Sequence, residues 1–421
     1  MSWKKRSERK WGRLGMRSDW KEIRLGEYCK IKNGYAFKSK DFSPSGVPII
    51  KIKNVKPNQI IKSDFSYIPE NIAEEKNEWK IKKGDVLLTM TGNRADGSPE
   101  SWVGKAALFT LEGNYLLNQR VASIRSSSCD LDTEYLGYYL SSWESQIYFI
   151  KHSNSSGGQA NISPDIVKQY KILLPSIKEQ KTIVSILKML DEKIVINERI
   201  NDNLELQARA YFQELFVDNA NPAWTLGTVS NLGAVVGGST PSKSKPEYYT
   251  KDGIAWITPK DLSINKAKFI SRGENDITEL GLKNSSASIM PEGTVLFSSR
   301  APIGYIAIAS GEVTTNQGFK SVVPKPEIGT AYVYSFLKHN LPVIEGMASG
   351  STFKEVSGSS MKNIPAVIPD TETLAYFNDF CAPIFAQQRI LEEQNQSLVA
   401  LRDSLLPRLM SGEIDVSAIQ L

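Results

Sequence analysis

The stretch LDEKIVINERINDNLELQARAYFQELF runs from Leu190 to Phe216, and IFAQQRILEEQNQSLVALRDSLLPRLM runs from Ile384 to Met410, 194 positions later. Both have the same length and the same amphipathic spacing. In the first, Ile183, Leu187, Leu190, Ile194, Asn197, Asn201, Leu204, Ala208, Tyr211 and Leu215 keep a four-three rhythm. In the second, Phe377, Cys381, Ile384, Gln388, Leu391, Asn395, Leu398, Arg402, Leu405 and Leu409 keep the same frame. Such a rhythm is the seam of a coiled coil. Asn201 and Asn395 are equivalent under the offset, and a polar residue at a seam position costs stability while fixing register. A helix of about 39 residues is about 58 Å long, which overhangs a domain of ordinary size. Each helix therefore needs a further partner, and the other helix is the natural one. Pro407 is expected to end or kink the second helix near its last turn.

The repeat extends beyond the helices. His152–Leu215 aligns without gaps onto Gly346–Leu409, so SSGGQANISPDIVKQYKILLP (155–175) lies over SGSTFKEVSGSSMKNIPAVIP (349–369). Upstream the offsets drift, as they do when loops differ in length. Leu25-Gly26 corresponds to Leu226-Gly227, and Lys53 to Lys260 behind the extended runs VPIIKI and GIAWIT. KKGDVLLTMTGNR (82–94) matches PEGTVLFSSRAPI (291–303), and Asn118-Gln119 matches Asn316-Gln317. Short β-branched and aromatic runs alternate with Gly, Pro, Asn and Ser turns, which predicts strands and loops. TEYLGYYLSSWESQIYFI (133–150) predicts a short helical stretch. The class is α+β, present twice.

Composition narrows the function. The chain is 41% hydrophobic and 23% charged, as in globular proteins. No run approaches the roughly 20 apolar residues that span a bilayer, and the N-terminus has no apolar core of a signal peptide. Three widely spaced cysteines, Cys29, Cys129 and Cys381, suit a reducing compartment, so the cytoplasm is expected. Residues 1–20 hold seven Lys or Arg and two Asp or Glu, leaving 44 of each sign over 21–421. The net basic charge therefore belongs to a tail, expected to be a disordered basic arm, and Met16 offers a second start behind it. A neutral body that binds nucleic acid must do so through local basic patches.

Catalytic groups are sparse. The two histidines, His152 and His339, are not equivalent in the repeat and have no ligand-spaced neighbours. No P-loop, dinucleotide fingerprint, metalloprotease helix or nucleophile elbow occurs. Pro164-Asp165 with Glu179-Gln180-Lys181 imitates a magnesium nuclease pattern. Convergence on one ion would require the carboxylates on adjacent strands, whereas Asp165 and Glu179 both stand at expected helix starts, where an acid stabilises the first turn. Neither a catalytic residue nor a metal site is assigned, and a nuclease using Asp165, Glu179 and Lys181 stands as the rival.

Recognition is what remains. Equivalent loops of both halves offer Gly, Ser, Thr and Asn with isolated cations: 89–98, 154–163, 237–249, 298–304 and 349–358. Backbone amides in such loops approach phosphates, while Asn, Gln and Arg pair with base edges. The candidate DNA-binding residues are Thr91, Asn93, Arg94, Gln119, Ser156, Gly157 and Gln159 in the first half. In the second they are Lys243, Arg300, Gln317, Ser351, Thr352 and Lys354. A tandem module binding something other than DNA is the third reading.

From Trp20 to Val416 the sequence resembles the specificity subunit of type I restriction–modification enzymes. The carriers are the W…LG openings (Trp20-Leu25-Gly26; Trp224-Leu226-Gly227), the GDVLLT and GTVLFS strands and the Asn-Gln pairs. The loops ending at Pro175 and Pro369, each followed by a long helix, complete the likeness. The tail before Met16 and Pro407 are departures from the family pattern. The resemblance implies two tandem target-recognition domains in a pseudo-two-fold arrangement, separated by two long antiparallel coiled-coil helices. Charge sets off a basic tail at 1–19, and the resemblance implies target-recognition domains at 20–175 and 218–371, a spacer helix at 176–217, and a second helix with its tail at 372–421. Each domain would read one half of an asymmetric bipartite site on double-stranded DNA, the halves differing because the loops have diverged. The helices would set the spacing and dock methyltransferase subunits, two being expected. By the same resemblance this chain is non-catalytic and binds no cofactor. S-adenosylmethionine would belong to the methyltransferase, and ATP with magnesium to a restriction or motor subunit.

Overall fold

The computed structural model describes residues 19–93, 101–156, 159–300, 302–349 and 354–419. The chain divides into two compact units. One holds the residues up to Lys193 together with those from Leu398 onward, and the other is Ile194–Ser397. The boundary cuts through both long helices, so neither helix forms a segment of its own.

In the first unit, strands Cys29–Asn33, Val121–Ser126, Val86–Thr89 and Ala106–Leu108 form one antiparallel sheet in that order. A second sheet orders Leu116–Leu117, Val47–Ile50 and Ser66–Ile68, with the first pair parallel. Lys21–Arg24 pairs with Lys171–Leu174. In the second unit, Gly233–Gly237, Lys320–Pro324, Val295–Ser299 and Ile303–Ala309 repeat the first sheet, with Phe269–Ile270 added. Thr314–Thr315, Ile254–Ile257 and Asn275–Ile277 repeat the second with Tyr249–Thr250 added, and Thr225–Thr228 pairs with Pro365–Ile368. The strand after each positive-φ glycine turn (Gly84, φ 91°; Gly293, φ 83°) is wholly buried, opening on three apolar residues and closing on hydroxyl side chains (Thr89; Ser298 and Ser299), as the centre of a sheet covered on both faces requires.

Three expectations are corrected. The stretch 133–150 is two helices, Thr133–Ser141 and Trp143–His152, because extended Ser142 breaks the run and its hydroxyl accepts the Ser145 N–H at 3.2 Å. The W…LG match is out of register. Leu25 donates its N–H to Tyr170 and Val229 donates to Ile364, both at 3.0 Å, so Val229 is the counterpart of Leu25. Both are fully buried, whereas Leu226 lies on a strand at 83% exposure. Pro407 does not end the second helix, which runs Thr371–Met410. A proline forfeits one intrahelical bond, and here the buried Leu409 and Met410 beyond it anchor the last turn in the core.

The first long helix spans Ile177–Gln213, and both helix starts are fastened by the same device. Glu179 accepts from the Ser176 N–H (3.1 Å) and hydroxyl (2.7 Å), while Trp20 Nε1 donates to its other oxygen at 3.5 Å. In the second unit Asp370 accepts the Thr373 N–H at 2.8 Å and Trp224 Nε1 at 2.7 Å. The tryptophan of each opening thus clasps a helix cap.

Within each unit the helices run in opposite directions. In the first, buried Ile183 and Leu187 share a core with Leu409 and Met410, and half-buried Leu405 packs against it; Leu190 is half-buried. Asp191 there accepts from Arg402 (2.8 Å), Tyr138 Oη (2.7 Å) and Asn58 Nδ2 (2.9 Å). In the second, Ala208, Phe212 and Phe216 share a core with Phe377, Cys381 and Ile384. Ile194 and Leu391 are buried, while Asn201, Leu204, Asn395 and Leu398 are half-buried. Asn197, fully buried, donates from Nδ2 to Asn395 Oδ1 at 2.8 Å. Asn395 Nδ2 donates to the Ile194 carbonyl at 3.4 Å and Gln388 Nε2 to the Asn201 carbonyl at 3.2 Å. These last two bonds join residue pairs that are equivalent under the 194-residue offset, with the side-chain donor and backbone acceptor exchanged. The Oδ1 atoms of Asn197 and Asn201 are buried without a partner.

Polar seams trade stability for register. Asn395→Leu leaves the buried Asn197 amide only its longer bond to Gln394 Oε1 (3.4 Å) and should cost about 1–3 kcal/mol. Changing Asn197 and Asn395 to leucine together removes both orphaned ends and should melt at or above the parent. Thermal melts of the three proteins decide it, and a double variant less stable than the single would contradict this account.

Candidate nucleic-acid interface

Each unit carries a turn built around its Asn-Gln pair. The asparagine does structural work there. Asn118 donates its N–H to Ile50 (3.1 Å) and its Oδ1 accepts the Arg120 N–H (3.3 Å). Asn316 donates to Ile257 (3.0 Å), and its Oδ1 accepts the Gly318 N–H (2.9 Å). A side chain closing the backbone two residues on is an Asx turn, and it leaves Gln119 and Gln317 exposed at the tip.

A second loop starts beside each turn. Tyr35 donates its N–H to Leu117 at 2.8 Å, and Ser239 to Thr315 at 2.9 Å. The preceding glycines are forced by this approach: a Cβ on Gly34 would sit 2.3 Å from the Leu117 carbonyl, and one on Gly238 2.0 Å from that of Asn316. In the second unit this loop brings the Thr240 hydroxyl onto Gln317 Oε1 and continues to exposed Lys243. In the first it leads through Tyr35 and Phe37, packed against each other at 5.0 Å, to exposed Lys38 and Lys40. Sequence reading singled out Lys243 and missed the first-unit loop. Its composition differs, and the one available signal was Gly34 standing just beyond the Cys29–Asn33 strand.

The third component is the end of the central strand. Met90 donates its N–H to Arg120 (2.9 Å) and accepts from Ile162 (2.8 Å). Ser299 donates to Gly318 (2.7 Å) and accepts from Val356 (3.0 Å). These bonds gather turn, strand end and following loop into one cluster in each unit. In the first, Thr91 pairs with Asn161 across the ladder, and its hydroxyl meets Asn161 Oδ1 at 3.0 Å. Exposed Gln159 lies on that strand, opposite Ser156 on the next. Exposed Asn93 donates to Ser101 Oγ at 3.1 Å. In the second unit Arg300 pairs with Glu355 in the same place. Glu355 stands 3.5 Å from Arg300 Nη1 and 3.6 Å from Lys320 Nζ, beside exposed Lys354. Arg94, Gly157, Ser351 and Thr352 lie outside the described residues.

In the second cluster Arg300 and Lys320 surround Glu355, with exposed Lys354 next to it in the chain. Its ion pairs are long. For comparison, Arg125 grips buried Asp85 through two bonds of 2.5 and 2.7 Å, the geometry of a committed bidentate pair.

The acids of the nuclease pattern are engaged elsewhere. Asp165 is 83% exposed and pairs with Lys168 at 3.0 Å on a short helix capped by Ser163. Glu179 is buried in the helix cap described above, and Lys181 is exposed. Among the described residues no group of three or more His, Cys, Asp or Glu side chains could hold a metal ion, and no helix is long and apolar enough to cross a membrane.

A family model, the type I restriction modification DNA specificity domain, matches residues 17–206 and again 222–396. The chain is 40% identical over 191 residues to the specificity subunit of the MjaIX type I restriction enzyme of Methanocaldococcus jannaschii, covering 43% of this chain and 44% of that one. It thus spans less than half of that relative. It is 24% identical to the HindI specificity subunit of Haemophilus influenzae, over 94% of this chain and 100% of the other. A crystal structure of the type I system S subunit from M. genitalium superposes with a TM-score of 0.56 at 16% identity, covering 95% of this chain and 98% of that one, which bears on the fold alone. With both halves matched and the duplicated architecture in place, the chain belongs to the type I restriction–modification specificity-subunit family.

Proposed function

We propose that this chain supplies the DNA address for a type I restriction–modification complex, each unit reading one half of an asymmetric bipartite site. The observation that carries the reading is the duplicated cluster. The same three elements, joined by equivalent backbone hydrogen bonds, present Thr91, Gln119 and Asn161 in one unit and Arg300, Gln317 and Glu355 in the other. An identical scaffold with different side chains is what two different half-sites need, because scaffold contacts position and base contacts specify. The chain itself is non-catalytic in this reading. Methyl transfer from S-adenosylmethionine belongs to methyltransferase subunits, two being expected, and ATP- and magnesium-dependent cleavage to a restriction subunit. The complex works in the cytoplasm, and the helix pair both docks the methyltransferases and sets the half-site spacing. The decisive experiment is methylome mapping of cells with and without this chain. A bipartite motif that loses methylation supports the reading, and an unchanged methylome defeats it.

Three outcomes follow. The purified chain should not cleave DNA with magnesium; cleavage lost on Asp165→Ala would revive the nuclease. Lys354→Ala, removing an exposed cation beside the cluster, should weaken all sequences alike and lower the salt slope by about one, as loss of a phosphate contact does. A change of sequence preference instead would make Lys354 a base reader. Finally, four residues inserted in each helix, after Arg199 and after Glu393, add one turn of about 6 Å, against about 3.4 Å per base pair. Binding measured on duplexes with spacers varied singly should shift its optimum to a longer spacer with the same half-sites. An unmoved optimum would leave the helices only a docking role.

A further inference from the structure

The geometry points to one ladder position, Asn161 in the first unit and Glu355 in the second, as the place where the two half-sites are told apart. The inference rests on the DNA-reading function above and deepens it by naming the residues and the base pairs they select.

The two positions are equivalent in sequence and in backbone. They differ by the 194-residue offset, and each precedes the residue that donates its N–H to the strand end, Ile162 to Met90 and Val356 to Ser299. Each also sits opposite the first residue past that strand end, Thr91 in one case and Arg300 in the other. The scaffold therefore holds a two-residue reader in the same place twice, beside Gln119 or Gln317.

Its chemistry is different in the two units. Asn161 gives one oxygen lone pair to the Thr91 hydroxyl at 3.0 Å, which fixes the amide plane and leaves the Nδ2 donors and a second lone pair to spare. A fixed amide with donor and acceptor side by side matches the N6 and N7 edge of adenine. Glu355 and Arg300 form the second reader. Arginine matches O6 and N7 of guanine, and a carboxylate accepts from N4 of cytosine, so together they suit a G·C pair. Their mutual contact permits this use. At 3.5 Å it is well outside the 2.7–2.9 Å of a committed charge-assisted bond, and Glu355 is shared with Lys320 at 3.6 Å. Both side chains are about one-third exposed, at 36% and 34%. By contrast the bidentate Arg125–Asp85 and the Arg402–Asp191 pair, at 2.8 Å, spend their charge inside the fold. The surrounding cations also offset the repulsion that a lone carboxylate would meet near phosphates.

The test is selection of duplexes from a library randomised in both half-sites, using the full chain in its methyltransferase complex. The parent should prefer A·T at one position of one half-site and G·C at one position of the other. The double substitution R300T/E355N, which copies the first unit's reader into the second, should move only that G·C preference toward A·T. A good bidentate contact corresponds to roughly a 5- to 150-fold discrimination, so the shift should be of that order. The untouched half-site serves as the control that the chain is folded. E355Q, which keeps the size and the ladder pairing, should weaken the G·C preference without shifting other positions. An unchanged preference with binding retained, or a loss of preference across the whole second half-site, would overturn the assignment. A parent complex that selects no sequence at all would instead defeat the function on which it rests.

Discussion

The fold depends on how each reading domain is fastened to the helices, and in both units the fastener is a partly buried carboxylate. In the second unit Lys268 brings its ammonium, 5% exposed, to Glu205 of the first helix at 2.5 Å and to Gln388 of the second at 2.6 Å. Burial pulls the lysine pKa down. Burial works against the Glu205 carboxylate too, yet Lys268 outweighs it and holds the acid below its usual range. Glu392 completes the junction by accepting the backbone N–H groups of Lys268 (2.8 Å) and Phe269 (3.0 Å), and burial pushes its pKa up. A buried pair of this kind adds little net stability, but removing one partner leaves a stranded charge costing about 3–5 kcal/mol. The junction therefore tolerates one docking geometry and penalises the others. In the first unit Asp191 plays the same part with Arg402, Tyr138 and Asn58.

Much of this architecture was legible in the sequence because duplication and heptad rhythm are properties of spacing. The two long helices and the matched Asn-Gln pairs could be read from intervals alone. What escaped depends on which residue faces which. The offset makes Asn201 the counterpart of Asn395, yet Asn197 makes the amide contact, because an antiparallel pair meets by distance from a crossing point and the sequence does not mark that point. The Leu-Gly match misled for a related reason: Leu226-Gly227 lies on its strand, while Leu25-Gly26 stands just past the corresponding strand, three residues out of register. Ser142 broke an apparently continuous helix because its capping bond outweighed the apolar periodicity on either side.

The candidate interface divides along the same line. Glycine and asparagine were visible because they serve the backbone, Gly34 and Gly238 by approach and Asn118 and Asn316 by closing a turn. Asn161 and Glu355 were invisible as a pair, since their importance comes from the ladder partner opposite. Within the repeat, the backbone is kept by residues that recur, and the chemistry varies at residues that do not.

The boundary between the units passes through both helices, and the core of the first unit is finished by Leu409, Met410 and Val416 near the far end of the chain. A ribosome delivers these residues only after the whole of the second unit. The first domain to be synthesised therefore waits, with part of its apolar surface uncovered, until residues 398–416 have followed the second. The second unit, contiguous from Ile194 to Ser397, has everything it needs as soon as it emerges. The order of completion in the cell would then reverse the order of synthesis, with the chaperones' attention falling on the N-terminal half.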